Sequence, residues 1–295
     1  MNDLDGQLNP RNVKKRLKAA GGASMLAPTK KLPQGPDPMK ASLALCVLAC
    51  SATAALADPA PSRLDEVIQR GTLSVCTTGD YKPYSSLRAD GSYEGIDIAM
   101  AESLAKSLNA KITWVPTTWK TLMPDFLAQR CDIAVGGISV SLERQKKAFF
   151  SESLGVDGKI PLVRCADVQR YQTVEQINQP QVRVIEPAGG TNEVFARAHL
   201  AQAQIRLHDN VTIFDELLAG KADVMITDAS EARYQQKLKP GLCAVNPERQ
   251  MQYSQKAFLL PRDDVAWKSY VDQWLHLSVA TGVYDGIVNQ WLAAP

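Results

Sequence analysis

The chain has 295 residues, enough for one or two domains. Its 45% hydrophobic and 22% charged residues are the balance of a chain that buries a core, which argues against wholesale disorder. No apolar run reaches the ~18–20 residues of a membrane span, so stable membrane insertion is not expected. The formal charge of +2 hides an asymmetry: residues 1–57 hold eight Lys/Arg against three Asp/Glu, and the rest holds 25 against 28. A mildly acidic body with scattered basic residues is poorly suited to grip nucleic acid, so no nucleic-acid partner is expected.

Residues 1–38 are rich in Gly, Pro and Lys and lack an amphipathic period. From Met39 the character changes. Lys40 gives a short positive end, Ser42–Ala55 is small and apolar, and Ala55-Leu56-Ala57 fits a small-x-small cleavage site before Asp58. This is the pattern of a bacterial secretory signal, with Met39 as the natural start and residues 1–38 as an upstream translation or a long leading region. It predicts a mature chain from Asp58 in the periplasm. Cleavage before Cys50, as in a lipoprotein, is the rival reading, and Leu48 fits that site poorly.

Elements follow in chain order from Ser62. This residue starts a short helix with Leu64, Val67 and Ile68 on one face, stopped by Gly71. Strand Leu73–Thr77 comes next. Asp90-Gly91 marks a turn, and Tyr93–Ile98 runs into a helix through Leu108. Strand Lys111–Pro116, helix Trp119–Gln129 and strand Asp132–Val135 complete a first unit. A second unit alternates strand Val182–Ile185, helix Asn192–Leu200, strand Ile205–Leu207, helix Thr212–Ala219, strand Val224–Thr227 and helix Ser230–Leu238. Extended segments Lys159–Arg164 and Lys256–Leu260 flank it. A C-terminal helix places Trp267, Tyr270, Val271, Trp274 and Leu275 on one core-facing stripe.

Nearly all-apolar strands alternating with helices indicate an α/β sheet covered on both faces. Two such units with a late return segment predict two lobes joined by two crossing strands. Lobe 1 is residues 58–163 plus 256–295, and lobe 2 is residues 164–255. A cleft between the lobes would be lined by loops at the C-terminal ends of strands, and hinged closure over a small molecule would follow.

Of six cysteines, Cys46 and Cys50 lie in the signal region. The remaining four form no CxxC, and the three histidines have no metal-ligand spacing, so neither a metal nor another cofactor is expected. In an oxidising compartment a disulfide is expected between Cys165 and Cys243, which flank one lobe. Cys76 and Cys131, in core strands, read as small buried hydrophobes.

No P-loop, GxSxG, HExxH or GxGxxG signature occurs. What remains is four strand-end loops with polar tips. Thr77–Tyr84 offers Tyr81 and Tyr84 as pocket walls and Lys82 as an anion contact; the same residues also make an ordinary Gly/Pro turn. In Gly136–Arg144 two glycines let backbone approach a ligand. Ser141 reads as an N-cap, which puts Arg144 in the first helical turn. An arginine there opposes the helix dipole, and bidentate carboxylate binding would justify it, although a surface arginine fits as well. In Pro187–Glu193 the free N–H groups of a helix start, with the Thr191 hydroxyl, form an anion site. Glu193 reads either as a dipole-compensating acid or as a proton donor facing the cleft. Asp228, at the end of a strand, suits an ammonium group, or serves as an N-cap. Together these residues fit an exported protein that binds a small carboxylate-bearing ligand.

The run from about Arg63 to Leu292 resembles the type 2 periplasmic solute-binding proteins, notably the polar amino-acid binders that deliver ligand to ABC transporters. The segment GISVSLERQKKAFFS (Gly137–Ser151) looks like their carboxylate motif. The resemblance implies that Arg144, with backbone near Ser139, and Thr191 hold the α-carboxylate, and that Asp228 holds the α-amino group. Within that superfamily, TTGDYKPYS (Thr77–Ser85), PTTW (Pro116–Trp119), GGTNE (Gly189–Glu193), DNVTIF (Asp209–Phe214) and YVDQWLH (Tyr270–His276) are similar to the periplasmic cyclohexadienyl dehydratases. That closer resemblance implies prephenate and L-arogenate as substrates. It makes Glu193 the general acid and Asn192 part of the same motif. Lys82 becomes a second anion contact, and Trp119 and Tyr84 shape the ring pocket.

Overall fold

The computed structural model describes residues 61–293. The predicted signal region lies outside the described residues. None of the helices among these residues is long and apolar enough to cross a membrane.

Two sheets organise the chain. In the first, parallel strands Lys111–Pro116, Thr72–Thr77 and Ile133–Ala134 lie side by side, followed by Leu259–Leu260 and Phe149–Phe150 in antiparallel pairing. In the second, Gln204–His208, Arg183–Pro187 and Val224–Asp228 are parallel. Next to them runs the long antiparallel strand Gly155–Arg164, which also pairs with Leu242–Ala244 and Gln252–Lys256. The chain passes from the first sheet to the second after Phe150 and returns after Lys256, and the two passages are neighbours: Lys256 pairs with Gly155, and Leu259 with Phe150.

Each sheet buries both faces, as alternation of side chains requires. In the second, Ile160, Leu162, Ile185 and Met225 enter one core, while Val163, Val184, Val224 and Ile226 enter the other. In the first, Val75 and Ile133 pack with Trp267, Val271 and Trp274, while Cys76 and Ala134 face a separate core with Phe126 and Phe150. These clusters explain why the strands are almost continuously apolar in sequence.

The helices depart from expectation in instructive places. Ser62 caps Arg63–Arg70 by accepting from the Leu64 N–H, and Gly71 ends it at φ 65°. Only Val67 is buried there, and Ile68 is exposed, because one short helix offers the sheet a narrow contact. The helix expected from Trp119 begins at Leu122. The preceding residues form a hydroxyl-bonded turn in which Thr121 Oγ1 accepts from the Thr118 N–H at 3.2 Å. A helix at Val283–Ala293 follows the C-terminal Val265–Ala280.

The cysteine reading needs one correction. Cys76 and Cys131 are disulfide-bonded across neighbouring strand ends, with Cα atoms 5.7 Å apart, rather than being free hydrophobes. Cys165 and Cys243 form a second disulfide, Cα atoms 4.8 Å apart, on the paired strand ends Arg164 and Leu242.

Candidate active site

Loops at the strand ends of both sheets enclose a small cavity lined by Tyr81, Trp119, Ser139, Thr191, Asn192 and Asp228 among others. About 20 Å³ is open to the centre of a water-sized probe, room for roughly one water molecule. The described conformation is therefore shut around its polar tips.

Asp228 sits at its centre. The residue has the extended backbone of an N-cap, but its side chain does not cap the following helix Ala229–Leu238. The carboxylate instead accepts from Lys159 Nζ at 2.8 Å, Lys256 Nζ at 2.5 Å and Tyr81 Oη at 2.7 Å. Burial alone would raise its pKa. The two ammonium groups outweigh burial and hold it well below the ordinary carboxylate range. Lys159 also donates to Thr191 Oγ1 at 2.9 Å and Asn192 Oδ1 at 2.5 Å. Lys256 donates to Ser139 Oγ at 3.0 Å and Tyr81 Oη at 3.1 Å. Each lysine thus has three partners for its three N–H donors.

Neither lysine stands out by motif, and both were missed in the sequence. Each directly precedes an apolar run (IPLV and AFLL). A lone charge against a buried apolar run is the signal that could have found them, since such a charge needs a partner.

Arg144 is buried, and its guanidinium donates to the Ser139 carbonyl at 2.8 Å. Burial lowers its pKa to about 10, so it stays cationic at neutral pH. Ser141 caps the short helix Leu142–Gln145, accepting from the Arg144 N–H at 3.3 Å. The two glycines of this loop do less for a ligand than expected. The Gly136 and Gly137 N–H groups both bond to the buried Asp97 carboxylate, at 2.9 and 2.7 Å. Gly137 has φ 72°, and a Cβ there would meet the Tyr81 ring at 2.5 Å, so only glycine suits the position.

Glu193 departs most from expectation. It lies in the first turn of helix Thr191–His199, outside the cavity lining. Its carboxylate accepts from the Gly189 N–H at 2.6 Å and pairs with Arg197 at 2.7 Å. These bonds, the Gly189 N–H foremost, lower its pKa despite partial burial. The anion-binding N–H group anticipated at Gly189 is thereby taken from within the protein.

Two further expected residues stand apart. Lys82 is outside the cavity lining and faces Glu94 at 3.7 Å in a half-buried pair, because the neighbouring hairpin supplies its counter-charge. Tyr84 stacks behind Tyr81, ring centroids 5.8 Å apart, and is not part of the lining. Trp119 does form a wall, edge-on to Tyr81 at 5.4 Å.

Two strand-end loop sets closing over a polar cavity, with buried lysines behind its one lining carboxylate, define a two-lobed binding-protein fold. Residues 73–294 match the bacterial extracellular solute-binding proteins, family 3, and the chain belongs to that family. The cyclohexadienyl dehydratase of Pseudomonas aeruginosa is 51% identical over 250 residues, covering 84% of this chain and 92% of that one. Among solved structures, an ancestral cyclohexadienyl dehydratase is 50% identical with a TM-score of 0.51, covering 80% of this chain and 98% of its own. An ancestral amino-acid-binding protein, a precursor of cyclohexadienyl dehydratase, is 34% identical with a TM-score of 0.73, covering 78% of this chain and 100% of its own.

Proposed function

We propose that this protein is a cyclohexadienyl dehydratase that converts prephenate to phenylpyruvate and L-arogenate to L-phenylalanine, acting in the periplasm after cleavage of its signal segment. The observation that carries this reading is the 51% identity to a cyclohexadienyl dehydratase across 84% of the chain. The small cavity between the two sheets, with Trp119 as a wall and Asp228 in its lining, supports it.

The chemistry asks little of the protein beyond holding and protonating. The bond from the ring to its carboxylate breaks, and its electron pair enters the ring. The ring carbon–hydroxyl bond breaks, and the departing oxygen takes a proton to leave as water. Aromatisation supplies the driving force, and the poor leaving group is the obstacle. Glu193 is assigned as the proton donor, a role that typically contributes ~10²–10⁴-fold. Arg144, Ser139 and Thr191 hold carboxylate, with Asn192 beside them, and Trp119 packs against the ring. Asp228 faces the amino group of arogenate. Holding the substrate in a shut cavity adds acceleration by orientation and electrostatics.

Glu193 is held ionised by its contacts in the described conformation and lies outside the cavity lining, so the role requires it to leave those contacts, turn into the cleft and take up a proton from solvent as the substrate binds. A neighbouring dianion disfavours a second negative charge and raises the carboxyl pKa. Entry of a ring-bearing substrate requires the cleft to part. The adjacent crossings at residues 151–154 and 257–258 are the assigned hinge; this moves the expected lobe boundary, because residues 155–163, expected in lobe 1 (58–163 and 256–295), pair within the sheet of lobe 2 (164–255).

The test is incubation of purified mature protein with prephenate while following phenylpyruvate. Turnover at the uncatalysed rate would remove the enzyme reading. The second reading is a periplasmic polar amino-acid-binding protein of an ABC transporter. The 0.73 TM-score to an ancestral amino-acid-binding protein favours it. Tight amino-acid binding without turnover would establish that instead.

A further inference from the structure

One buried side-chain atom of the cavity lining has no hydrogen-bond partner among the described residues: Asn210 Oδ1. Its neighbours in the lining are answered from within the protein. Tyr81 bonds Asp228, Ser139 bonds Lys256, and Thr191 and Asn192 bond Lys159. Asn210 stands in the loop between strand Gln204–His208 and helix Ile213–Leu218 and is 4% exposed. Asp209 Oδ1 accepts from the Val211 N–H at 2.8 Å and fixes the turn around it.

The other contact of Asn210 orients the amide. Its Nδ2 donates to the Asp80 backbone carbonyl at 2.8 Å. The reversed amide would set two acceptors against each other, so the nitrogen belongs there and the oxygen is left free. Asp80 follows a strand of the first sheet and Asn210 a strand of the second. The amide is therefore held in place when the two loops meet. The Asp80 carboxyl itself lies outside the lining. A buried amide oxygen without a donor is costly and rarely left so. In a cavity that receives a ligand, the missing donor belongs on the ligand.

The substrate offers one. The carboxylates and keto group of prephenate only accept hydrogen bonds, and its single donor is the ring hydroxyl. We propose that Asn210 is a substrate-contacting residue whose Oδ1 accepts the hydrogen of the ring hydroxyl that departs. This rests on the dehydratase reading and deepens it. A hydroxyl that gives its hydrogen to Asn210 keeps its lone pairs turned from the amide and open to the incoming proton. Arogenate presents the same hydroxyl. The aromatic products have lost it, which leaves the amide oxygen unpaired again and favours their release.

The experiment is calorimetric titration of wild-type protein and Asn210→Leu with 4-hydroxycyclohexanecarboxylate and 4-fluorocyclohexanecarboxylate, each as its cis and trans isomers. Fluorine is close to hydroxyl in size and has no hydrogen to give. Wild type should bind the hydroxy acid about tenfold more tightly than the matching fluoro acid, the scale expected when a buried acceptor loses its donor. Asn210→Leu should cut that preference at least about threefold. Loss of the Asp80 contact weakens both probes alike, so the ratio isolates the free oxygen from the structural bond. A smaller cut, or no wild-type preference to cut, overturns the proposal. Should Asn210→Leu fail to fold, Asn210→Ala removes the same oxygen without added bulk and is read the same way. Turnover plays no part in the measurement. Protein that converts prephenate but shows no such preference keeps the dehydratase reading and loses this contact. Protein inert towards prephenate that shows the Asn210-dependent preference loses the dehydratase reading and keeps the contact.

Discussion

Replacing Glu193 with glutamine separates its structural duty from its proposed chemical one. The side-chain oxygen of glutamine still accepts from the Gly189 N–H, now at 2.6 Å from Glu193, so the loop keeps its shape. What is lost is the pair with Arg197, a largely exposed i, i+4 contact, and the favourable charge at a helix start. Such terms are worth about 0.3–0.5 and 0.3–1 kcal/mol. Destabilisation should be near 1 kcal/mol, a fall of about 2–4 °C in melting temperature. Loss of the proton donor should cost ~10²–10⁴-fold in kcat, which is about 3–5 kcal/mol of barrier. The pH profile adds a second test. The Glu193 pKa is lowered by the Gly189 N–H and Arg197, so the free protein carries this side chain ionised at neutral pH. Plots of kcat/KM report the free protein and should fall about tenfold per pH unit through neutrality. Plots of kcat report the complex, where a bound dianion raises the pKa, and should stay level to higher pH. A Glu193→Gln protein that is folded and retains kcat within threefold of wild type would refute the assignment.

Other outcomes are expected from the same structure. Arg144→Ala should weaken every carboxylate ligand by ~10–100-fold in KM or Kd, since charge-assisted hydrogen bonds are worth about 1.5–3 kcal/mol; unchanged ligand affinity in calorimetry would contradict it. Asp97 has its pKa raised by burial to about 6, above its unfolded value, so its contribution is fully present below about pH 4 and is lost as pH rises through 6. Asp97→Asn keeps an acceptor for both glycine N–H groups, and should gain up to about 3 kcal/mol over wild type between pH 4 and 7.5, read from urea unfolding at both pH values. A parallel pH dependence in both proteins would exclude this. The disulfides close separations of 55 and 78 residues, for which chain entropy gives about 4 kcal/mol each. Reduction should therefore lower the melting temperature by ~10 °C or more, and thermal scans with and without reductant measure it.

Much of the fold was legible in the sequence because its signals are local. Alternating burial writes apolar strands, and Ser62, Ser141 and Gly71 announce helix ends through their own side-chain and backbone chemistry. The relation of Arg144 to a capped turn could be read for the same reason. Long-range pairing could not. Cys76 and Cys131 read as core residues until neighbouring strands brought them together. Lys82 read as an anion contact until a hairpin offered it Glu94.

The sequence by itself determined which segments are strands and helices, and that polar loops fall at strand ends, because periodicity and capping act within a few residues. Only the tertiary structure decided the charge state of the cavity. Lys159, Asp228 and Lys256 are separated by 69 and 28 residues along the chain, yet they meet out of water. There each one's ionisation depends on the others, a coupling that no single segment contains.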